Sequence, residues 1–177
     1  MRQFGLIGYP LSHSFSQGYF KDKFQHEGVL DARYANYPIA SINDFKALWD
    51  DKSIQGLNIT IPYKKEVIPF IQHPSSVVRS IQACNCIRRY NNELYGYNTD
   101  VIGFQKSLTP FLKPHHTNAL ILGTGGAAAA VEWVMKNLGI KYHFVSRTNG
   151  ENCIEYNDLT KEIIESCLLY TSDAADD

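Results

Sequence analysis

The sequence predicts an α/β protein, because short apolar strand signals alternate with helical periodicity along the 177 residues. Hydrophobic residues make up 44% of the chain and charged residues 20%, which is enough apolar material to bury a core. A polar break at residues 113–118 separates two such patterns. We therefore expect a first α/β domain over residues 1–100, a connecting helix and linker over 101–117, and a partial second domain over 118–166.

The first pattern consists of alternating elements with local start and stop signals. A strand ends at the turn Gly8-Tyr9-Pro10, and the helix that follows places Tyr19, Phe20, Lys23 and Phe24 nearly on one face. Pro62 stops a later strand, and Asn91-Asn92-Glu93 is a hairpin signal. The expected strands are 3–8, 32–37, 56–61, 86–90 and 94–97, and the expected helices are 15–26, 41–49, 64–71, 75–82 and 100–112.

The second pattern reads as strand, glycine turn, helix and strand. Residues 119–122 form an apolar strand, residues 127–138 a helix that Gly139 ends, and residues 141–146 a second strand. This order is typical of the opening of a Rossmann-type dinucleotide-binding fold.

The glycine turn has a mechanical interpretation. Gly123 permits a tight turn, and Gly125 and Gly126 let backbone N–H groups approach a pyrophosphate. The small side chain of Ala127 leaves room for the pyrophosphate at the start of the helix. With Thr124 inside the turn, residues 123–127 are the expected cofactor-binding loop. A glycine turn in an α/β domain that binds no nucleotide remains the alternative.

The end of the next strand indicates which nucleotide is bound. An acidic residue usually stands there in NAD enzymes, whereas this chain has Ser146, Arg147 and Thr148. A guanidinium can pair with a 2′-phosphate and a hydroxyl can add a bond, so these residues favour NADP (NADPH). The alternative is that Arg147 is a solvent-exposed arginine that does not bind the cofactor.

Charge and cysteine content exclude several classes of protein. The formal net charge is −1 without a basic run, so we expect no nucleic-acid partner, and no apolar run approaches the length of a membrane span. The N-terminus lacks the plan of a signal peptide. Cys84, Cys86, Cys153 and Cys167 are expected to be thiols in a reducing cytoplasm, and no metal site is expected.

Three polar clusters in the first hundred residues are candidates for a catalytic or binding site. Hydroxyls at Ser14 and Ser16 could hold a carboxylate, or only cap the helix that follows. Lys64 is close to a proline at an expected helix start, where the positive end of the helix dipole disfavours a cation unless a negatively charged group lies nearby. The alternative is that Lys64 is an ordinary surface lysine. Asn85 lies between apolar stretches, and Asp100 could be a helix N-cap.

Together these clusters resemble the shikimate dehydrogenases over residues 4–165. The motifs that carry the resemblance are Gly8-x-Pro10-x-x-His13-Ser14-x-Ser16, Asn58-x-Thr60-x-Pro62-x-Lys64, Ala83-x-Asn85, Asn98-Thr99-Asp100 and Gly123-x-Gly125-Gly126-Ala127. One departure is Gln17, where the family often has proline.

The resemblance implies a reaction and a set of roles. The family reduces 3-dehydroshikimate to shikimate with NADPH, in the route to chorismate and the aromatic amino acids. It implies that Ser14 and Ser16 bind the substrate carboxylate, and that Thr60, Lys64, Asn85 and Asp100 surround the ring hydroxyls. Lys64 and Asp100 would be the catalytic pair, with Lys64 transferring the proton. The protein would be a monomer or homodimer at full length.

Three other functions remain open at this point. One is an NAD-dependent quinate/shikimate dehydrogenase, against which Arg147 counts. Another is a non-catalytic ligand-binding protein of the same fold, against which the presence of both Lys64 and Asp100 counts. The third is a reductase similar to the amino-acid dehydrogenases that shares the glycine loop, against which Ser14 and Ser16 count.

The sequence pattern changes after residue 166. Residues 167–177 do not fit the strand expected there and resemble a translated adapter sequence, so we expect a truncated gene fragment with a non-native tail. A two-strand Rossmann start would expose a sheet edge, and we expect the 177-residue polypeptide to be poorly soluble or inactive.

Overall fold

The computed structural model describes residues 1–124, 127–147, 150 and 152–171. The chain divides into two compact units, with the boundary between Asn98 and Thr99. Among the described residues, no helix is both long enough and apolar enough to cross a lipid bilayer.

The first unit is built on a six-stranded mixed sheet. The strands are β1 (Arg2–Gly8), β2 (Ala32–Pro38), β3 (Ile54–Ile59), β4 (His73–Pro74), β5 (Cys86–Tyr90) and β6 (Glu93–Tyr97), and the helices are α1 (Ser16–His26), α2 (Phe45–Trp49) and α3 (Ser76–Ile81). The strand order is β2-β1-β3-β5-β6-β4. Strand β1 pairs in parallel with both β2 and β3, whereas β5 is antiparallel to β3 and β6.

One face of this sheet carries the core of the unit. Ile7, Leu57 and Ile59 pack there with Phe45 and Trp49 of α2. Helix α1 packs against the strand pair β1 and β2. The expected strands and helices of this unit are present within a few residues, with one exception.

The exception is the helix expected over residues 64–71. The chain forms consecutive turns over residues 61–67 and a short 3₁₀ helix at Ile68–Phe70 instead. Pro69 lies inside this segment and has no backbone N–H to donate, so a continuing α-helix is disfavoured. The expectation of an α-helix starting at Lys64 was wrong.

The second unit contains a four-stranded parallel sheet. Its elements are α4 (Thr99–Leu108), β7 (Asn118–Leu122), α5 (Ala128–Asn137), β8 (Lys141–Ser146), β9 (Cys153–Glu155), α6 (Lys161–Ser166) and β10 (Leu168–Thr171). The strand order is β10-β7-β8-β9. Helix α5 packs against β7 and β8, and α4 packs against α5.

This sheet is larger than the sequence predicted. Two strands were expected, and no strand was expected after residue 166, but β9 and β10 extend the sheet on both sides of the β7–β8 pair. Parallel strands joined through α5 agree with the expected Rossmann-type start.

Candidate functional site

The candidate substrate site of the first unit lies at one edge of its sheet. Strands β1 and β3 are parallel neighbours that reach this edge together, with Ile7 paired to Ile59. Each strand leads into a loop there, and the peptide bonds Tyr9–Pro10 and Ile61–Pro62 in these loops are cis. Because β5 is antiparallel to β3, the residue before its first strand residue also lies at this edge.

Backbone hydrogen bonds hold the two loops and the start of β5 side by side. The Thr60 N–H donates to the Ile7 carbonyl at 2.9 Å, and the Ile59 N–H donates to the Asn85 carbonyl at 2.9 Å. Thr60 and Asn85, which the sequence analysis placed in the site, are therefore brought to the same strand end.

Gly8 lets Thr60 approach the first loop. A Cβ atom at Gly8 would overlap the Thr60 methyl group and lie 2.9 Å from the Ile61 carbonyl oxygen. Only a residue without a side chain fits between the two loops.

Lys64 lies in the turns that follow β3 and is half-buried. Its carbonyl accepts a hydrogen bond from the Cys84 N–H at 2.7 Å, which fixes the turn beside the segment that carries Asn85. The neighbouring Tyr63 is buried and donates from its hydroxyl to the Ile39 carbonyl at 2.7 Å. The expected conflict between Lys64 and a helix dipole does not arise, since no α-helix begins there.

Ser14 and Ser16 stand at the entry to α1, and both are half-buried. The Ser14 hydroxyl accepts a hydrogen bond from the Ser16 N–H at 3.3 Å, while the N-cap residue Phe15 makes no side-chain capping bond. Ser14 therefore contributes to capping from one position before the N-cap, and the capping and ligand-binding interpretations of this serine are compatible.

Two buried asparagines complete the edge. Asn85 is 8% exposed and Asn98 is 4% exposed. The Asn98 amide donates to the Ala83 carbonyl at 3.1 Å, and the Asn85 N–H donates to the Tyr97 carbonyl at 3.0 Å. Buried side-chain amides that lie this close to an open loop edge are suited to hydrogen-bonding a polyhydroxylated ligand.

Tyr34 is a residue of this region that the sequence analysis assigned only to a strand. Its hydroxyl donates to the Asn58 side-chain oxygen at 2.9 Å, and its ring stacks on Phe20 of α1 with centroids 4.3 Å apart. Burial raises the pKa of the Tyr34 phenol far above its usual value. The one available signal was a tyrosine on the strand that neighbours β1.

Asp100 belongs to the second unit. It lies in the first turn of α4 and is half-buried. Because α4 begins at Thr99, Asp100 lies inside the first turn, where a carboxylate interacts favourably with the helix dipole.

The described part of the expected nucleotide loop turns sharply at the end of β7. Gly123 adopts a left-handed φ of 96° directly after β7, and its N–H donates to the Val145 carbonyl at 2.8 Å. Helix α5 begins after Ala127, and this N-cap residue makes no side-chain capping bond to the first turn. Ala128 and Ala130 are buried, which keeps this helix start close to the sheet.

The remaining cofactor residues divide into two groups. Thr124 is exposed, Ser146 is the last residue of β8, and Arg147 follows it with an exposed side chain. Gly125, Gly126 and Thr148 lie outside the described residues. The described residues fit a dinucleotide, because the loop, the uncapped helix and the arginine follow the ends of adjacent parallel strands.

Comparisons with known proteins agree with this arrangement. The family described as shikimate dehydrogenase substrate binding domain matches residues 6–87. The shikimate dehydrogenase (NADP(+)) of Aquifex aeolicus is 34% identical over 152 residues, which are 82% of this chain and 55% of the relative. The chain thus spans a little over half the length of this relative.

Two solved structures are similar in fold. A chorismate mutase/shikimate 5-dehydrogenase fusion protein from Clostridium acetobutylicum has a TM-score of 0.78 at 32% identity, covering 89% of this chain and 61% of that protein. Shikimate 5-dehydrogenase from Thermus thermophilus, solved in complex with NADP(H) and shikimate, has a TM-score of 0.74 at 27% identity, covering 84% and 57%.

The match to the family, the similar relatives and the shared fold agree on one assignment. The chain belongs to the shikimate dehydrogenase family.

Proposed function

We propose that this chain carries the substrate-binding unit and the start of the nucleotide-binding unit of an enzyme that reversibly reduces 3-dehydroshikimate to shikimate with NADPH. In this proposal the enzyme serves the route to chorismate and the aromatic amino acids. The observation that carries it is the gathering of Ser14, Thr60 and Asn85 at one sheet edge, with Lys64 in the adjoining turns. The names of the similar proteins support the same substrate and cofactor.

The polar residues of the edge have separate roles in the proposed reaction. The serine hydroxyls bind the substrate carboxylate, and Thr60 and Asn85 bind ring hydroxyls. NADPH supplies the hydride when it is bound. Lys64 gives a proton to the oxygen of the reduced carbonyl group and takes it back in the reverse direction, while Asp100 orients the substrate and Lys64.

Arg147 supports NADP over NAD. Its exposed guanidinium follows the last residue of β8, where an acidic residue would otherwise receive the ribose 2′-hydroxyl. An NAD-dependent quinate/shikimate dehydrogenase is the competing function, and the cofactor preference of a version extended to the length of the relatives distinguishes the two. The four cysteines form no disulfide bond in the structure, which supports a reducing compartment such as the cytoplasm for this activity.

Substrate binding tests the first half of the proposal. Calorimetric titration of the 177-residue chain with shikimate should show saturable binding, and Ser14→Ala should weaken it by about threefold to tenfold, since one hydrogen bond to a charged group is lost. A chain that is folded by circular dichroism but does not bind shikimate would contradict the proposal.

The role of Lys64 is tested by turnover in the extended version. Lys64→Ala should lower kcat by about a hundredfold or more, because the proton transfer loses its donor, while shikimate binding stays measurable. Lys65→Ala is the matched control, because the neighbouring Lys65 is exposed. Retained turnover in Lys64→Ala would show that another group transfers the proton.

A further inference from the structure

Leu11 lies between two parts of the candidate substrate site, and the sequence analysis gave it no role. Its backbone carbonyl accepts a hydrogen bond from the Ser14 N–H at 3.2 Å, so residues 11–14 form a turn. This turn fixes Leu11 beside the serine that carries one of the proposed carboxylate-binding hydroxyls.

The side chain of Leu11 extends from this turn to the space above Gly8. A Cβ atom at Gly8 would overlap the Thr60 methyl group and would lie 2.9 Å from the Leu11 Cδ2 atom. The leucine and threonine methyl groups are therefore neighbours on the same side of Gly8. Leu11 is half-buried, so part of its side chain stays accessible to a ligand.

A ligand that reaches from Ser14 to Thr60 has to pass the Leu11 side chain. In the proposed function the carboxylate binds at Ser14 and a ring hydroxyl binds at Thr60. The ring carbon that carries the carboxylate is then the part of the ligand next to Leu11. The methyl groups of leucine offer neither a donor nor an acceptor, so this position favours a ring carbon without polar substituents other than the carboxylate.

We propose that Leu11 is a specificity-determining residue, which selects substrates whose carboxylate-bearing ring carbon has no hydroxyl and disfavours those that carry one there. The proposal rests on the proposed function and deepens it, because it names the feature of the substrate that this part of the site distinguishes. Shikimate and 3-dehydroshikimate have a flat carbon without a hydroxyl at this position. Quinate has a tetrahedral carbon with a hydroxyl.

Two physical effects disfavour quinate beside Leu11. A hydroxyl that moves from water to the leucine side chain loses hydrogen bonds to water and gains none from leucine. The tetrahedral carbon also needs more room than a flat one, next to the space that Leu11 and Thr60 already share. Apolar pockets reject an added hydroxyl by about a hundredfold at most, so we expect shikimate to bind about tenfold to a hundredfold more tightly than quinate.

The test compares shikimate with quinate, because the two anions carry the same charge and the same carboxylate. Binding of each to the 177-residue chain is measured by calorimetric titration. Leu11→Asn keeps a side chain of similar size and adds polar atoms, whereas Leu11→Met stays apolar.

Leu30→Asn is the matched control. Leu30 is 87% exposed. It lies just before β2, whose first residue pairs with Arg2, at the end of the sheet opposite Gly8. The same change of side chain is thus made away from the site.

We expect Leu11→Asn to reduce the preference for shikimate over quinate by about fivefold to tenfold, because the amide can hydrogen-bond the added hydroxyl. Leu11→Met and Leu30→Asn should keep the preference within about twofold. If circular dichroism shows that Leu11→Asn does not fold, Leu11→Ala replaces it and should reduce the preference as well, because water can then reach the hydroxyl. An unchanged preference in the folded variant would overturn the proposal.

The wild-type chain separates this inference from the proposed function. A chain that binds shikimate but binds quinate equally well or more tightly would support the substrate site and overturn the role of Leu11. A folded chain that binds neither ligand would contradict the proposed function, and the role of Leu11 would fall with it.

Discussion

At the scale of single residues, the site depends on a close approach between two loops at Gly8. We expect Gly8→Ala to destabilise the first unit by about 1–3 kcal/mol, because the added methyl group overlaps the Thr60 side chain and approaches backbone. Shikimate binding should weaken as well, since Thr60 must move. Urea unfolding and calorimetry measure the two effects.

Gly18→Ala is the matched control for Gly8→Ala. Gly18 lies inside α1, and a Cβ atom there meets nothing within 4 Å. The substitution should stabilise the chain by about 0.5–1 kcal/mol, because alanine is the better helix former. Equal effects of the two substitutions would show that the approach at Gly8 does not constrain the loops.

A second prediction at this scale concerns thiol reactivity. Burial raises the pKa of the Cys84 thiol to about 11, so at about pH 8 only about one molecule in a thousand carries the reactive thiolate. We expect iodoacetamide to alkylate the half-buried Cys153 and Cys167 before Cys84, and the rate at Cys84 to rise as the pH approaches 11. Peptide mass spectrometry follows each site.

The unfolded chain is the control for this experiment. In concentrated urea all four cysteines should react at similar rates, because burial is lost. Rapid labelling of Cys84 in the folded chain would contradict its buried position.

The residues that the sequence identified share a property that Tyr34 lacks. Ser14, Thr60 and Asn85 follow or precede strands, and loops at a common sheet edge can be inferred from strand order. Tyr34 lies inside a strand, where its hydroxyl bonds to Asn58, which is 24 residues away, and its ring stacks on Phe20. Contacts of this kind follow from packing, and no local pattern predicts them.

At the scale of elements, Arg89 connects α2 with the sheet. Its guanidinium donates to the Ile54 carbonyl at 2.7 Å and to the Asp51 carbonyl at 3.1 Å, and it lies 4.0 Å from the Trp49 ring centroid. Arg89→Lys should cost about 1–3 kcal/mol of unfolding free energy, because an ammonium cannot make the same forked contacts.

Arg88 provides the matched control for this prediction. It is the preceding residue of β5 and is exposed. Arg88→Lys should change the unfolding free energy by no more than about 0.5 kcal/mol. Similar losses in the two variants would mean that the carbonyl contacts of Arg89 do not stabilise the end of α2.

Elements with strong periodicity or clear turn signals were predictable. The hairpin of β5 and β6 and helix α5 are present as the sequence indicated. The helix predicted after Pro62 is absent, because the apolar spacing of this segment is helix-like while Pro69 and the contacts of Tyr63 favour turns.

At the scale of the whole molecule, each of the two units has its own buried core. Leu57 is buried in the first and Ile121 in the second. Leu57→Ala and Ile121→Ala should each cost about 2–5 kcal/mol, and each should accelerate amide hydrogen exchange mainly within its own unit. Uniform acceleration over both units by either variant would show that they unfold as one.

The number of strands was the least predictable feature at this scale. Strand β4 has two residues and β9 has three, and such short segments are strands only because a neighbour pairs with them. The sequence predicted the β7–α5–β8 unit, in contrast, because each of its elements carries its own signal.

The antiparallel hairpin has a practical consequence for studying this protein. Asn91 and Asn92, with φ values of 49° and 66°, turn the chain at the end of the hairpin remote from Asn85. Five residues of extended strand separate that turn from the site, a distance of about 17 Å. A fluorescent dye or affinity tag can therefore be attached at this exposed turn without occupying the space where the ligand binds.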